Sequence, residues 1–305
     1  MKIKYQLFFF LLFVISCTST VYAKLNIVAT TPDLGAIARE IGKDKVDVTS
    51  IAKPTEDPHF VDAKPSFIVK LNKADMLIDG GLQLEIGWLP PLVNSARNQK
   101  ILPGNPGYLV ASAGIPVLET PTSLDRAMGD VHPFGNPHFM LDPSNGKIVA
   151  TQICNRLCQN DVGNCTYYKD NLNDFVIRLD QKISAWQKSL EPFRGTKIVT
   201  YHKTFPYFAK RFNLNVVETL EPKPGIPPSP THINNIIPMM KKEGVKLILI
   251  EQFRERKIPE FVAAQTGAKV IILPIMVGGL KETDDYLTLF DYNINLIVSA
   301  LKIKS

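Results

Sequence analysis

The sequence predicts an α/β fold made of two lobes with mainly parallel sheets. Short β-branched runs alternate with amphipathic stretches on both sides of one long amphipathic segment, and this alternation is typical of parallel strands covered by helices. With 305 residues, of which 45% are hydrophobic, the chain can bury a large core and is too long for one small domain. We therefore expect two lobes.

The first half of the chain carries four short apolar runs that predict buried strands. Helical spacing of apolar residues separates them, and Gly42 follows the first helix at a position where glycine commonly ends one. The predicted strands cover 25–31, 46–51, 74–79 and 108–111, and the predicted helices cover 33–41, 65–73, 88–96 and 143–157.

One long amphipathic helix is predicted in the middle of the chain. Apolar residues recur there at spacings of three and four from Tyr168 to Leu190, before Glu191 and Pro192 interrupt the pattern. We place the linking helix at 166–192, between an N-terminal lobe at 24–165 and a C-terminal lobe at 193–305.

The second half repeats the pattern of the first. A proline-rich loop covers 221–230, and Thr231 after it is positioned to cap the next helix. The predicted strands cover 198–201, 216–219, 245–250 and 270–273, and the predicted helices cover 205–212, 232–242, 257–266 and 286–301.

Residues 1–23 are typical of an export signal, because Lys2 and Lys4 precede a short apolar run and Ala23 ends a small-residue cleavage site. Cleavage there would release a soluble periplasmic protein, which is the reading we favour. The alternative is a bacterial lipobox, in which Cys17 becomes the lipidated first residue of the mature chain. Both readings predict that the protein works outside the cytoplasm.

Three cysteines remain after export. In an oxidising compartment one pair is expected to form a disulfide, and Cys158 with Cys165 across a polar turn is the predicted pair. Cys154 would then be a buried free thiol, although a pair between Cys154 and Cys158 stays open. A thiolate metal site is disfavoured because no histidine is near in sequence.

The charge of the chain argues against nucleic acid as a partner. Removal of the signal, which holds two of the lysines, lowers the formal net charge from +6 to +4. The remaining lysines are scattered, and no basic run alternates with aromatic residues. A solvated surface is the better interpretation of this mild charge.

Three histidines are the candidate metal ligands. His59 and His138 both stand between a proline and a phenylalanine, so each lies on a stiff loop, and His202 follows a β-branched run at the end of a predicted strand. Three histidines with an open or carboxylate fourth position are a common set of zinc ligands. His132 lies in a polar stretch that we interpret as a surface loop, and we do not count it as a ligand.

These residues resemble a known family, the metal-binding solute-binding proteins that supply zinc or manganese to bacterial ABC importers. The resemblance covers essentially the whole mature chain. The motifs that carry it are Asp57-Pro58-His59, the block from Asn136 to Pro143, Tyr201-His202, and Leu249-Ile250-Glu251.

The resemblance implies two (β/α) lobes joined by a rigid helix, with one metal ion in the cleft between them. His59 and His138 would come from the first lobe and His202 from the second. A histidine at the His202 position is associated with zinc in the family, whereas glutamate is associated with manganese. Coordination chemistry agrees, because imidazole suits zinc and carboxylate oxygen suits manganese.

The fourth ligand departs from the family pattern. Relatives typically have an aspartate just after the last strand of the second lobe, but 273–280 holds no carboxylate here. Glu251 is our candidate for this position, followed by water and then by Asp284 or Asp285. Glu251 could equally orient a histidine without touching the ion.

The predicted function is an extracytoplasmic receptor that captures zinc, with manganese as the alternative, and delivers it as cargo to an ABC permease in the membrane. We expect a monomer and no enzymatic activity. A secreted zinc hydrolase is the rival, but the chain has no His-Glu-x-x-His pair. A metal-stabilised adhesin is the second rival.

Overall fold

The computed structural model describes residues 23–123, 129 and 132–302, and the predictions about the export signal and Cys17 fall on residues outside this range. The described chain alternates strands and helices along its length. The strands are β1 (Leu25–Ala29), β2 (Val46–Ser50), β3 (Met76–Asp79), β4 (Tyr108–Val110), β5 (Lys197–Thr200), β6 (Asn215–Thr219), β7 (Leu247–Glu251) and β8 (Lys269–Leu273). The helices are α1 (Pro32–Gly42), α2 (Pro65–Asn72), α3 (Leu89–Ala96), α4 (Pro143–Asn160), α5 (Cys165–Leu190), α6 (Pro206–Arg211), α7 (Pro230–Glu243), α8 (Lys257–Thr266) and α9 (Tyr286–Lys302).

The strands form two four-stranded sheets, one in each half of the chain. Their orders are β2-β1-β3-β4 and β6-β5-β7-β8, and every pairing between neighbouring strands is parallel. The two orders are the same pattern, because each sheet places its first and third strands at the centre. The predicted α/β class with two parallel-sheet lobes is confirmed.

Helix α5 runs between the two sheets in the chain. Its buried residues include Phe175, Leu179 and Trp186, and they belong to one continuous apolar core that contains residues of both sheets and of α1, α4 and α9. The Trp186 indole donates a hydrogen bond to Asp291 of α9 at 2.8 Å. Helix α5 therefore packs into a core that both lobes share. Our domain limits at 24–165, 166–192 and 193–305 stay predictions.

The disulfide lies at the turn between α4 and α5. Cys158 and Cys165 are bonded, and Cys154, one turn earlier on α4, is a buried free thiol. The predicted pairing is therefore confirmed, and the alternative between Cys154 and Cys158 is wrong.

Two predicted helix ends differ from the structure. Gly42 does not leave the helical conformation; its φ is −83°, and Lys43 takes the positive φ of 44°. The glycine is required for space instead, because a Cβ atom on Gly42 would lie 2.4 Å from the methyl groups of Val46. At α7 the capping residue is Ser229 and not Thr231, because the Ser229 hydroxyl accepts the His232 N–H.

The two lobes are tied together by polar contacts around the shared core. The buried carboxylate of Asp33, at the start of α1, accepts the backbone N–H of Val277 at 2.7 Å. The Tyr286 hydroxyl of α9 donates to the Met140 carbonyl, also at 2.7 Å. Within 23–123, 129 and 132–302 no helix is long and apolar enough to cross a membrane.

Candidate metal centre

Three histidines from loops at the lobe boundary converge on one point. His59 lies in the loop after β2, His138 directly precedes a short helical turn before α4, and His202 follows β5 by two residues. One ring nitrogen from each can be chosen so that all three lie within 4.8 Å of one another. The structure therefore brings together the three histidines that the sequence singled out.

The spacing of the three rings fits a shared ion. The ring centroids are 5.1 Å apart for His59 and His138, and 5.5 Å apart for the two pairs that include His202. Imidazoles bound to one tetrahedral zinc at about 2.0–2.1 Å would have centroids roughly 5 Å apart. The rings also meet edge to face, so that their nitrogens are free to point inward.

His59 is held by its own loop. Asp57 accepts the backbone N–H of His59 at 3.1 Å and contacts its Nδ1 at 2.7 Å. Burial alone would raise the pKa of Asp57, but the hydrogen bonds and positive charge of His59, together with Arg254, hold it below its usual value. Trp88 also donates its indole N–H to the Pro58 carbonyl. The carboxylate fixes Nδ1 as the protonated nitrogen and leaves Nε2 for a metal.

His202 is held in the same way by the second lobe. Its Nδ1 lies 2.6 Å from Oε2 of Glu221, and both side chains are buried. The Thr200 hydroxyl donates to the His202 carbonyl and fixes the backbone after β5. A histidine with a carboxylate behind it is the usual arrangement of a metal ligand, because the carboxylate orients the ring and makes it more basic.

His138 is positioned through its backbone. Its N–H donates to the Asn136 side chain at 2.9 Å, and that side chain in turn donates to the Lys203 carbonyl in the other lobe at 2.7 Å. The loop is thus tied to the residue that follows His202. Burial, followed by the positive charges of the surrounding histidines and Arg254, holds the pKa of His138 well below 6.5, so its ring is neutral and ready to bind a cation.

The Nε2 atom of His138 gives an independent test of the site. It is buried, and it has no hydrogen-bond partner within the described residues. A buried polar atom normally has a partner, and leaving one without any is costly. A cation bound among the three histidines would satisfy this nitrogen, so the residues present fit a metal ion.

Glu251 lies at the end of β7 and is completely buried. Thr204 donates its hydroxyl to Oε1, and Oε2 lies 3.6 Å from Nε of Arg254. Burial raises the pKa of Glu251, while Arg254 and His202 act in the opposite direction. Glu251 is not part of the three-histidine group described above. Asp284 and Asp285, the other carboxylates considered for the fourth position, are both exposed. Asp285 accepts backbone N–H groups at the start of α9.

Arg254 connects the carboxylates around the site and was missed by the sequence analysis. Its guanidinium lies 3.4 Å from Asp57, 3.4 Å from Glu221 and 3.6 Å from Glu251. It therefore faces the carboxylates behind His59 and His202 at once, and these come from different lobes. No local pattern in the sequence identifies such a residue, because its partners are distant in the chain.

His132 was also missed. Its Nε2 lies 3.2 Å from Nε2 of His59, and the two ring centroids are 5.2 Å apart. We interpreted this residue as part of a surface loop, but its ring is partly buried against the site. The one signal that pointed to it is its position six residues before His138.

Two parallel-sheet lobes that enclose converging histidines define a metal-binding solute receptor. The family described as ZnuA, zinc-uptake complex component A, periplasmic, matches residues 27–300, and the chain belongs to this family.

The names of curated relatives agree with this assignment. The chain is 28% identical to the metal ABC transporter substrate-binding lipoprotein ScbA of Streptococcus cristatus over 295 residues, which cover 94% of this chain and 92% of that one. It is 26% identical to the manganese ABC transporter substrate-binding lipoprotein PsaA of Streptococcus pneumoniae, covering 91% and 89%.

Among solved structures, a crystal structure of ZnuA superposes with a TM-score of 0.75 at 24% identity, covering 90% of this chain and 98% of that one. The Mn-bound periplasmic metal binding protein of Candidatus Liberibacter asiaticus gives 0.74 at 22% identity, covering 91% and 100%.

The protein is therefore the extracytoplasmic solute-binding component of a metal ABC importer, and it is a receptor and not an enzyme. Its partners are a metal ion and a membrane permease. The predicted class of function is confirmed, and neither the hydrolase nor the adhesin alternative is supported.

Proposed function

We propose that the transported ion is zinc and that His59, His138 and His202 bind it. The observation that carries this proposal is the convergence of three imidazole nitrogens on one point, with carboxylates behind two of the rings and a buried, unpartnered nitrogen on the third. Each ring is aimed before the ion arrives. Binding then requires little reorganisation of the site.

The ligand set favours zinc over manganese. Imidazole nitrogens suit zinc, whereas carboxylate oxygens suit manganese, and the group of three described above contains only histidines. Some relatives are named as manganese transporters and others only as metal transporters. The choice of zinc over manganese therefore rests on the donor atoms of this chain. Copper would bind such nitrogen ligands more tightly than zinc in a test tube, and affinity order alone is a poor guide to the cargo.

Three histidines leave one position on a tetrahedral ion. The sequence prediction for this position is Glu251, with water second. Support for Glu251 comes from its Oε2 atom, which is buried and lacks a hydrogen-bond partner in the described chain. Other contacts favour a role in which Glu251 does not touch the ion, because Thr204 and Arg254 already contact its carboxylate.

Metal content and titration calorimetry test the proposal. The purified exported protein should bind one zinc ion, and changing His59, His138 or His202 to alanine should weaken zinc binding by at least about a hundredfold. Loss of a direct ligand should cost at least as much as loss of a residue that only orients one, which reaches about a hundredfold.

His232→Ala is the matched control, because the His232 ring bonds the Thr219 carbonyl and takes no part in the cluster. Unchanged zinc binding in the three ligand variants would contradict the proposed site. A wild-type protein that binds manganese more tightly than zinc would contradict the proposed cargo.

We also propose that the receptor acts as a monomer and does not bind nucleic acid. The second part is supported by the mild net charge of +4 expected after export and by the scattered lysines. Light scattering of the purified protein, and a nucleic-acid binding assay at low salt, test the two statements separately.

A further inference from the structure

The contact between His132 and His59 joins two side chains that are far apart in sequence. Nε2 of His132 lies 3.2 Å from Nε2 of His59. The second nitrogen of His59 bonds the Asp57 carboxylate, which only accepts hydrogen bonds when ionised. In the neutral ring Nε2 of His59 therefore carries the lone pair, and this nitrogen faces His132.

The separation of these two nitrogens fits two ligands on one ion. Adjacent ligand atoms on a tetrahedral zinc at about 2.0–2.1 Å are roughly 3.3 Å apart. The ring centroids of His132 and His59 are 5.2 Å apart, within the 5.1–5.5 Å range of the three pairs formed by the proposed ligands. By both measures His132 stands to His59 as a neighbouring ligand would.

His132 also lies on the open side of the site. It lines a cleft of about 520 Å³ together with His138 and His202, and it lines a second cleft of the same size beside His59. Glu251, by contrast, is completely buried. A ligand that completes the coordination after an ion enters from solvent is better placed at the open side.

The His132 ring is partly buried against the site and lies beside the open clefts that it lines. His132 lies outside the group of histidines whose nitrogens are all within 4.8 Å of one another, so its ring has to move toward His138 and His202 to share their ion, whereas its 3.2 Å contact with His59 already has the spacing of two ligands.

We infer that His132 is a fourth histidine ligand of the transported ion, in the position that the sequence analysis gave to Glu251. This inference rests on the proposed three-histidine site. All four ligand atoms would then be nitrogens. His59 and His132, from two loops of the first lobe, would bind the ion beside the open clefts. The inference also strengthens the preference for zinc, since a carboxylate oxygen is then absent from the proposed ligand set.

Counting the nitrogens on the ion tests the inference directly. Cadmium-113 bound to the exported protein labelled with nitrogen-15 at histidine should show scalar coupling to four histidine nitrogens, and to three in His132→Gln. Zinc affinity should fall at least about tenfold in His132→Ala, the lower end of the effect of losing a residue that orients a metal ligand.

Glu251→Gln and His232→Gln are the comparison variants. Under the inference, both keep four coupled nitrogens. Three coupled nitrogens in the wild type would overturn the inference and show that His132 only hydrogen-bonds His59, while leaving the three-histidine site intact. Fewer than three, or no bound metal, would overturn the proposed function itself. His132→Ala with unchanged zinc affinity would likewise overturn the inference.

Discussion

The two lobes have the same sheet topology but contribute different chemistry to the metal centre. Of the three histidines proposed as ligands, the first lobe holds His59 and His138 on loops, whereas the second holds His202, with Glu221 and Arg254 behind the rings. The proposed ligands thus come mainly from the first lobe, and the charged residues behind them come mainly from the second. The same α/β frame can be specialised in two ways because the loops after its strands vary freely.

Each lobe also contains a buried glutamate, and the two glutamates differ in their charged neighbours. Glu85 in the first lobe accepts the Thr30 hydroxyl, and Glu251 in the second accepts the Thr204 hydroxyl. Burial, followed by the negative charge of Asp79, raises the pKa of Glu85 well above its usual value, so its carboxyl is neutral. Glu251 has Arg254 beside it instead. Within the described residues, Glu251 forms an ion pair with an arginine and Glu85 forms none.

Arg254→Met should have the largest effect on stability. It removes the cation that faces Asp57, Glu221 and Glu251 but keeps an apolar stem. Removing one partner from a buried ionic network costs about 3–5 kcal/mol, so the free energy of unfolding of the metal-free protein should fall by this amount. Zinc should then raise the melting temperature more than in wild type, because the ion supplies positive charge. Urea denaturation and thermal melting measure both effects.

Arg256→Met is the control for this change, because Arg256 is exposed on the same loop. Wild-type stability in Arg254→Met would mean that the arginine is not needed to balance the carboxylates. The carboxylates of the second lobe would then be stabilised by hydrogen bonds and not by the charge of Arg254.

The fold and the convergence of the three histidines were predictable from sequence for different reasons. Alternating strand and helix patterns are local, and they identified both lobes. His59 and His138 were found because proline fixes each loop, and His202 because it follows a strand. The roles of Arg254 and His132 depend on which distant loops meet in space, and no spacing or composition encodes that meeting.

Asp33→Asn tests the contact between the lobes and its pH dependence. Burial raises the pKa of Asp33 to about 7, although the Val277 N–H acts in the opposite direction. The carboxyl of the unfolded chain ionises near its ordinary pKa of 3.8, so between these values the folded state holds an extra proton and the free energy of unfolding falls as pH rises. Wild type should lose about 3 kcal/mol relative to Asp33→Asn between pH 5 and pH 8.5.

Urea denaturation of the metal-free proteins at both pH values measures this difference, and the asparagine side chain keeps an acceptor for Val277. Asp47→Asn, an exposed change on β2, should show no such pH-dependent gain. Parallel pH profiles for wild type and Asp33→Asn would show that the Asp33 carboxyl titrates alike in the folded and unfolded chains.

The smallest expected effects concern the two carboxylates that contact the proposed ligands His59 and His202. Asp57→Asn and Glu221→Gln each keep a hydrogen-bond acceptor but remove the charge. Loss of such partners weakens metal binding by about 10–100-fold. Glu221 is 6% exposed and Asp57 is 15% exposed, and charge interactions are stronger where water is excluded. We therefore expect roughly a hundredfold loss of zinc affinity in Glu221→Gln and roughly a tenfold loss in Asp57→Asn.

Zinc competition titrations at constant pH measure the two losses side by side, with the exposed change Glu282→Gln as the control. The two losses of zinc affinity show which carboxylate contributes more to binding. If Asp57→Asn lost as much affinity as Glu221→Gln, the charge behind His59 would contribute as much to zinc binding as the charge behind His202. If Glu221→Gln lost more, the charge that sets the affinity of the site would belong to the second lobe, which contributes the fewest ligands.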